Sequence, residues 1–272
     1  MTQPIEPPPL PPEDWTAEEA SAAALYLTLV AAWLTAVTAA TFPAAGIINP
    51  FGILSATSLW TQTVTNWIRQ AVRPALLAPY TFLFGPERAT VLFDQRPFVD
   101  EYIRTVTNLL SRVPDETFRR VQAIVQTAST EGTSIPDTAE QIRETLLDAG
   151  APYWTNRAET IARTELLRAH RGGAWDSYVT YGAENGLRMR KTWIDSDDAR
   201  VRPAHVDTDE QTVPIMEPFM VGVDGGPRFP AMYPGDPILP PNLSINCRCD
   251  VLYTTYDEPL TDLSDRRFRS AL

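Results

Sequence analysis

The sequence predicts an α+β protein: a mostly α-helical N-terminal region, then a small mixed domain of short strands and long proline- and glycine-rich loops. Three observations carry that prediction. Apolar residues recur at three- and four-residue intervals through the first half of the chain, as on the buried stripe of a helix. Past Gly186 that period gives way to alternation of apolar with basic residues, from Leu187 to Ile194. Then Pro214, Pro218, Pro227, Pro230, Pro234, Pro237, Pro240 and Pro241 crowd together, with Gly222, Gly225 and Gly226 among them. Fixed φ and missing amide donors at that density leave a loop, either tied down by side chains or flexible.

At 272 residues and 44% hydrophobic content, the chain suits one large or two ordinary domains and can build a true core. A formal net charge of -11 argues against broad affinity for nucleic acid, which requires local positive charge. The strongest basic grouping is Arg188, Arg190 and Lys191 with Arg200 and Arg202. It reads first as a solvated strand pair and turn, so DNA contact is expected to be weak at most. Cys247 and Cys249 are the only cysteines, and a Cys-x-Cys bridge is strained, so no disulfide framework is expected. The proline-rich, acidic start lacks the basic segment that opens a signal peptide.

Taken in order, residues 1–13 form a proline-rich arm that cannot be helical. A helical domain is expected over 14–150. Ala20 to Trp67 contains no charged residue. Within it Tyr26, Val30, Trp33 and Val37 share a helical face, and Ala24, Thr28, Ala31, Thr35 and Thr38 form a small, weakly polar one. Asp14 or Thr16 is the expected cap and Phe42-Pro43 the stop. A second helix from near Ser55 carries Trp60, Val64, Trp67 and Ala71, and Pro74 should end it. Ser21–Thr41 has the length of a membrane span, but its alanine and threonine content and missing basic flanks favour a buried helical pair over a constitutive span.

Two amphipathic helices follow, one lined by Val99, Tyr102, Val106, Leu109 and Val113, the other by Phe118, Val121, Val125 and Ala128. Pro114 and Asp115 should separate them, with Asp115 as N-cap, and Asp100 should pair with Arg104 on the solvent side. Asp137 or Thr138 opens a helix that runs to Asp148 and stops at Gly150. From Thr155 a long helix carries Ile161, Arg163, Glu165, Leu166 and His170, interrupted near Gly172-Gly173 and finished by Gly182. Strands are expected at 187–194, 211–215 and 249–253, inside a second domain over 151–255, and a mixed-charge tail occupies 256–272.

The residues that could carry chemistry are His205, Asp207, Cys247 and Cys249. Thiolates and imidazole suit a structural zinc ion, which would staple a loop-rich domain short of apolar area. If strand 211–215 pairs beside strand 249–253, His205 lies near the Cys-Arg-Cys turn. Two other readings stay open: a hydrogen-bonded histidine among packed thiols, and a catalytic Cys–His pair of an enzyme or toxin-like effector. Arg163 and Glu165 point to different sides of their helix, and Arg163 reads as a buried arginine bonding loop carbonyls. Asp195, Asp197 and Asp198 read as Asx-type turn residues. No phosphate-binding loop, His-Glu-x-x-His or Gly-x-Ser-x-Gly occurs, so the chain is not expected to be an enzyme.

One ordered series remains: Ile161-Ala162-Arg163-Thr164-Glu165, Trp193, Asp198 with Arg200 and Arg202, His205, Gly235-Asp236-Pro237, and Asn246-Cys247-Arg248-Cys249. That series resembles the C-terminal domain of the phage Mu F-like head-morphogenesis family, minor capsid proteins of tailed bacteriophages, from about Thr155 to Tyr253. The family usually has a glycine after the histidine; here Asp207-Thr208-Asp209-Glu210-Gln211 has none, so Asp209 is expected to take the left-handed turn position. The resemblance implies a low-copy virion component inside the head, associated with the portal protein and capsid interior, made in the host cytoplasm and acting in head assembly. Some members are thought to accompany DNA at ejection. The uncharged helices suit attachment to the portal or self-association with a sister copy.

Overall fold

Helix α1 (Thr16–Thr41) buries Tyr26, Val30, Trp33 and Val37, the stripe that the spacing predicts. This computed structural model describes residues 16–42, 49, 52, 56–131, 133–147 and 152–255. The proline-rich arm, the Asp14 cap, the start near Ser55, the stop at Gly150 and the tail 256–272 lie outside the described residues. Helix α2 (Thr57–Trp67) brings Trp60, Val64 and Trp67 against α1. Tyr26 meets Trp60 and Trp67 edge-on, with ring centroids 6.1 and 5.5 Å apart, and Trp33 lies 4.8 Å from Trp60. Each indole N–H finds a carbonyl: Trp33 that of Ala56, Trp60 that of Leu110, Trp67 that of Ala22. Burying such large rings is favourable because their polar edges are satisfied.

Pro74 does not end the second helix. A π-helical turn, Ile68–Val72, follows α2, and α3 (Arg73–Phe84) continues from it. The Arg73 N–H donates to Ile68, five residues back, which widens the ladder just where proline removes a donor and crowds the preceding turn. Helices α4 (Pro86–Asp94) and α5 (Pro97–Leu110) each open with proline, whose missing N–H costs nothing there. The expected Asp100–Arg104 pair is replaced by Glu101–Arg104 on the exposed face. In α6 (Val113–Glu131), Pro114 and Asp115 sit inside the first turn, so Asp115 is not the cap. Helix α7 (Ile135–Leu147) is capped by Ser134, whose Oγ accepts from the Asp137 N–H at 3.2 Å, one turn before the expected caps.

Helix α8 (Pro152–Asn185) runs unbroken through Gly172-Gly173. A Cβ on Gly173 would stand 2.1 Å from the Leu76 carbonyl oxygen, so this glycine serves close approach of another backbone and does not break the helix. The chain turns at Gly186, with φ of 62°, into β1 (Met189–Ile194). A one-turn helix α9 (Pro203–Val206), β2 (Thr212–Pro214), β3 (Phe219–Val221), β4 (Phe229–Ala231), the short α10 (Pro241–Ser244) and β5 (Asp250–Thr255) complete the described chain.

Two compact units emerge. Among the described residues, one is helical, within Asp14–Pro74 and Arg96–Leu166; the other combines Ala75–Gln95 with the chain from Leu167 to Thr255. In the second unit β1 is the central strand of an antiparallel sheet ordered β2-β1-β5, and β3 pairs with β4 in a separate ladder that the proline pattern hid. Its core joins Tyr178, Met189, Trp193, Val213, Phe219, Val221, Leu243, Val251 and Tyr253 with both cysteines. Among the described residues one helix, Ala17–Thr41, is long and apolar enough to cross a membrane by length and composition.

Candidate functional site

Alternation along β1 sends Met189, Lys191 and Trp193 to the core and Arg190 and Thr192 to the other face. The site grows from Trp193. Its ring meets His205 edge-on at 5.6 Å and Phe219 at 5.3 Å. His205 is set by α9, where Pro203 occupies the first helical position and the Thr208 hydroxyl closes back on the Ala204 carbonyl. The two cysteines come from the chain entering β5. Asn246 takes φ of 54°, a value asparagine tolerates, and the backbone then runs with Cys247 and Cys249 buried on either side of a half-exposed Arg248.

Three donor atoms converge. His205 Nδ1 lies 3.2 Å from Cys249 Sγ and 3.8 Å from Cys247 Sγ, and all three atoms fall within 4.8 Å of one another. On the far side of the ring, Nε2 lies 3.0 Å from the Leu243 carbonyl. A carbonyl only accepts, so Nε2 carries the proton and Nδ1 turns its lone pair to the sulfurs. The residues are 2–3% exposed. A hydrogen bond from Cys249 holds the Cys247 thiol well below the usual range, with further help from His205 and Arg171. Sharing with Cys247, together with burial, pushes Cys249 up. The pair thus releases its first proton easily and keeps its second.

His205 reaches the cysteines by a route other than the one expected. Strand β2 does not lie beside β5, because β1 stands between them; α9 and α10 supply the approach. Asp207 is not part of the cluster. It is exposed, and its Oδ2 accepts from the Asp224 N–H at 2.9 Å.

The arginine that binds loop carbonyls is not Arg163, which is part-exposed and pairs with Glu19 at 3.0 Å in the helical unit. Glu165 is likewise buried in that unit. The role falls to a stripe farther along α8. Arg168 donates to the Gly235 carbonyl at 2.7 Å, Arg171 to Cys247 at 2.9 Å, and the Trp175 indole to Ile215 at 2.9 Å. Positions 168, 171 and 175 share one helical face, so the spacing rule that exposes core stripes also marks this donor stripe.

Around it, the Pro-Gly-Asp-Pro turn is built as a knot. Gly235 has φ of 79°, and the Asp236 carboxylate accepts from the N–H groups of Met232 and Ile238. Lys191 points inward, donates to the Met232 carbonyl at 2.7 Å, and lies 4.8 Å from the Phe219 ring centroid. It is therefore no part of a surface basic patch. Burial lowers its pKa to about 7, against the opposing pull of Asp236 and Glu217.

Outside the core, Asp195 and Asp198 accept from the N–H groups two residues on, as Asx turns do. Asp198 also holds Arg248 with both oxygens, and Arg202 donates to the Ile245 carbonyl at 2.6 Å. The left-handed residue in the turn after His205 is Glu210, with φ of 59°, and not Asp209. Asp209 is committed to the Asp195 N–H instead, at 2.9 Å.

No curated protein and no solved structure matches this chain. A family model described as Phage Mu protein F like protein does match, over residues 119–252, which extends the resemblance upstream into α6. That stretch contains the imidazole, both thiols, the Gly235-Asp236 turn and the donor stripe of α8, and over it the chain is similar to the phage Mu F-like family.

Proposed function

We propose that this is a bacteriophage head-morphogenesis protein: a virion component that works by attachment, present in few copies, lodged inside the head and bound to the portal. The observation that carries the reading is the family match over residues 119–252. Its site supports a structural part over an enzymatic one. The thiols and imidazole that a nucleophile would need are buried to 2–3% exposure, and their neighbours are hydrophobic core residues.

The helical unit supplies the attachment surface. Ala24, Thr28, Ala31 and Thr35 of α1 are exposed and uncharged, opposite the tryptophan-lined face. Small side chains let a partner backbone approach closely, and in this reading the portal is the occupant. The net charge of -11 works against adsorption to packaged DNA. Passage with the DNA at ejection would add a later role for the same apolar helix.

Ala31→Glu with Thr35→Glu tests this without touching the buried stripe. The full-length variant should fold, by circular dichroism and melting, yet fail to co-purify with portal and be lost from purified heads. Normal incorporation of the variant into heads would overturn the assignment.

A further inference from the structure

The core of the α+β unit holds a donor set that the attachment role does not use. We propose that His205, Cys247 and Cys249 bind one zinc ion, which locks α9, α10 and the start of β5 together. This inference stands on the geometry of the cluster and does not depend on what the protein attaches to.

Two sulfurs and one nitrogen, on two short segments with little regular structure between them, meet within 4.8 Å. A tetrahedral zinc ion with Zn–S near 2.3 Å and Zn–N near 2.0–2.1 Å requires ligand separations of roughly 3.5–3.8 Å. The observed Sγ···Nδ1 distances of 3.2 and 3.8 Å bracket that spacing. Sulfur and imidazole are also the donors that zinc prefers over hard oxygen ligands.

The outer contacts fit as well. A metal-bound histidine ordinarily donates its second ring N–H to a carbonyl or carboxylate, which fixes the tautomer and aims the lone pair. Leu243 does this for His205 at 3.0 Å. The unusual Cys-x-Cys spacing has a plain explanation. Extended backbone repeats every two residues, so Cys247 and Cys249 turn to one side while Arg248 turns out to Asp198. A turn-borne pair would need Cys-x2-Cys; an extended pair needs one intervening residue. Arg171, donating to the Cys247 carbonyl, adds positive charge beside the sulfurs.

The metal would contribute where the chain is poorest in apolar layers. Strands β2, β3 and β4 are three residues each, with Pro218 and Pro227 in the loops joining them and Pro234, Pro237, Pro240 and Pro241 in the stretch that follows. Structural zinc supplies folding energy that such a segment lacks.

The test uses the full chain, expressed with zinc in the medium and purified without chelator. Elemental analysis should find one zinc per chain in the wild type and in Asp207→Asn, and none in Cys247→Ser/Cys249→Ser. Because the double variant could misfold, cobalt(II) offers a second reading on the wild type after zinc removal. Thiolate-to-cobalt charge transfer with intense tetrahedral d–d bands supports the site. A wild type that holds no zinc and gives no cobalt–thiolate band overturns it, as does an intact Cys247–Cys249 disulfide in the purified protein.

Discussion

Arg168 and Arg171 lie three residues apart on α8 and donate to the carbonyls of two different loops, Gly235 at 2.7 Å and Cys247 at 2.9 Å. Both side chains are buried, at 3% exposure. One rigid helix therefore holds the Pro-Gly-Asp-Pro turn and the cysteine segment in place, which is how irregular backbone stays ordered without strands of its own.

Replacing Arg171 with Met should lower unfolding free energy by about 2–4 kcal/mol, since a buried carbonyl loses its charged donor. Arg163→Ala should cost less than about 1 kcal/mol, because that pair with Glu19 is part-exposed. Urea titration of both variants decides the matter; equal losses would mean that the two arginines do the same work.

Gly173→Ala is expected to destabilise despite the better helix propensity of alanine. The added methyl would meet the Leu76 carbonyl at 2.1 Å, and backbone cannot rotate away. The overpacking penalty of about 1–3 kcal/mol outweighs the propensity gain of about 1 kcal/mol. A melting temperature at or above that of the wild type would refute the close approach.

Acid should weaken the fold through His170, which is buried on α8. Burial, with Arg171 nearby, lowers its pKa from 6.5 to about 4. Between those values the unfolded chain binds a proton that the folded chain refuses, so stability falls as pH drops from 6.5 toward 4. The loss is on the order of 3 kcal/mol from this group alone. His170→Gln should flatten that part of the stability–pH curve, measured by denaturant titration at a series of pH values.

Lys191 predicts a slope at the other end. Its pKa falls from 10.5 to about 7 in the folded chain. Across that interval the unfolded state again holds the extra proton, so stability rises as pH rises from 7, and below 7 the penalty stays constant. From pH 7 to 9 the wild type should gain about 2–3 kcal/mol relative to Lys191→Met. Parallel curves for the two proteins would show that the amine is solvated.

The sequence by itself determined the buried stripe of α1, Trp60, Val64 and Trp67 on α2, Val99, Tyr102 and Val106 on α5 (where Leu110 is buried and the expected Leu109 is exposed), Val121 and Ala128 on α6, a strand within the expected 187–194, the Asx turns at Asp195 and Asp198, and the family resemblance. Each rests on a local rule: a periodicity, a turn chemistry, or a spaced motif. Short-range rules also misled. Pro74 and Gly172-Gly173 read as helix stops, yet a π turn absorbs the first, and the packing of Leu76 against Gly173 explains the second. Asp207 and Arg163 have the right chemistry in the right motif, but a side chain's partner is chosen by what folds against it. Only the tertiary structure could transfer the arginine's role to Arg168 and Arg171, turn Lys191 inward, and bring His205 to both cysteines through α9 and α10. Those are meetings between residues about forty or more positions apart, and spacing along the chain carries no information about them.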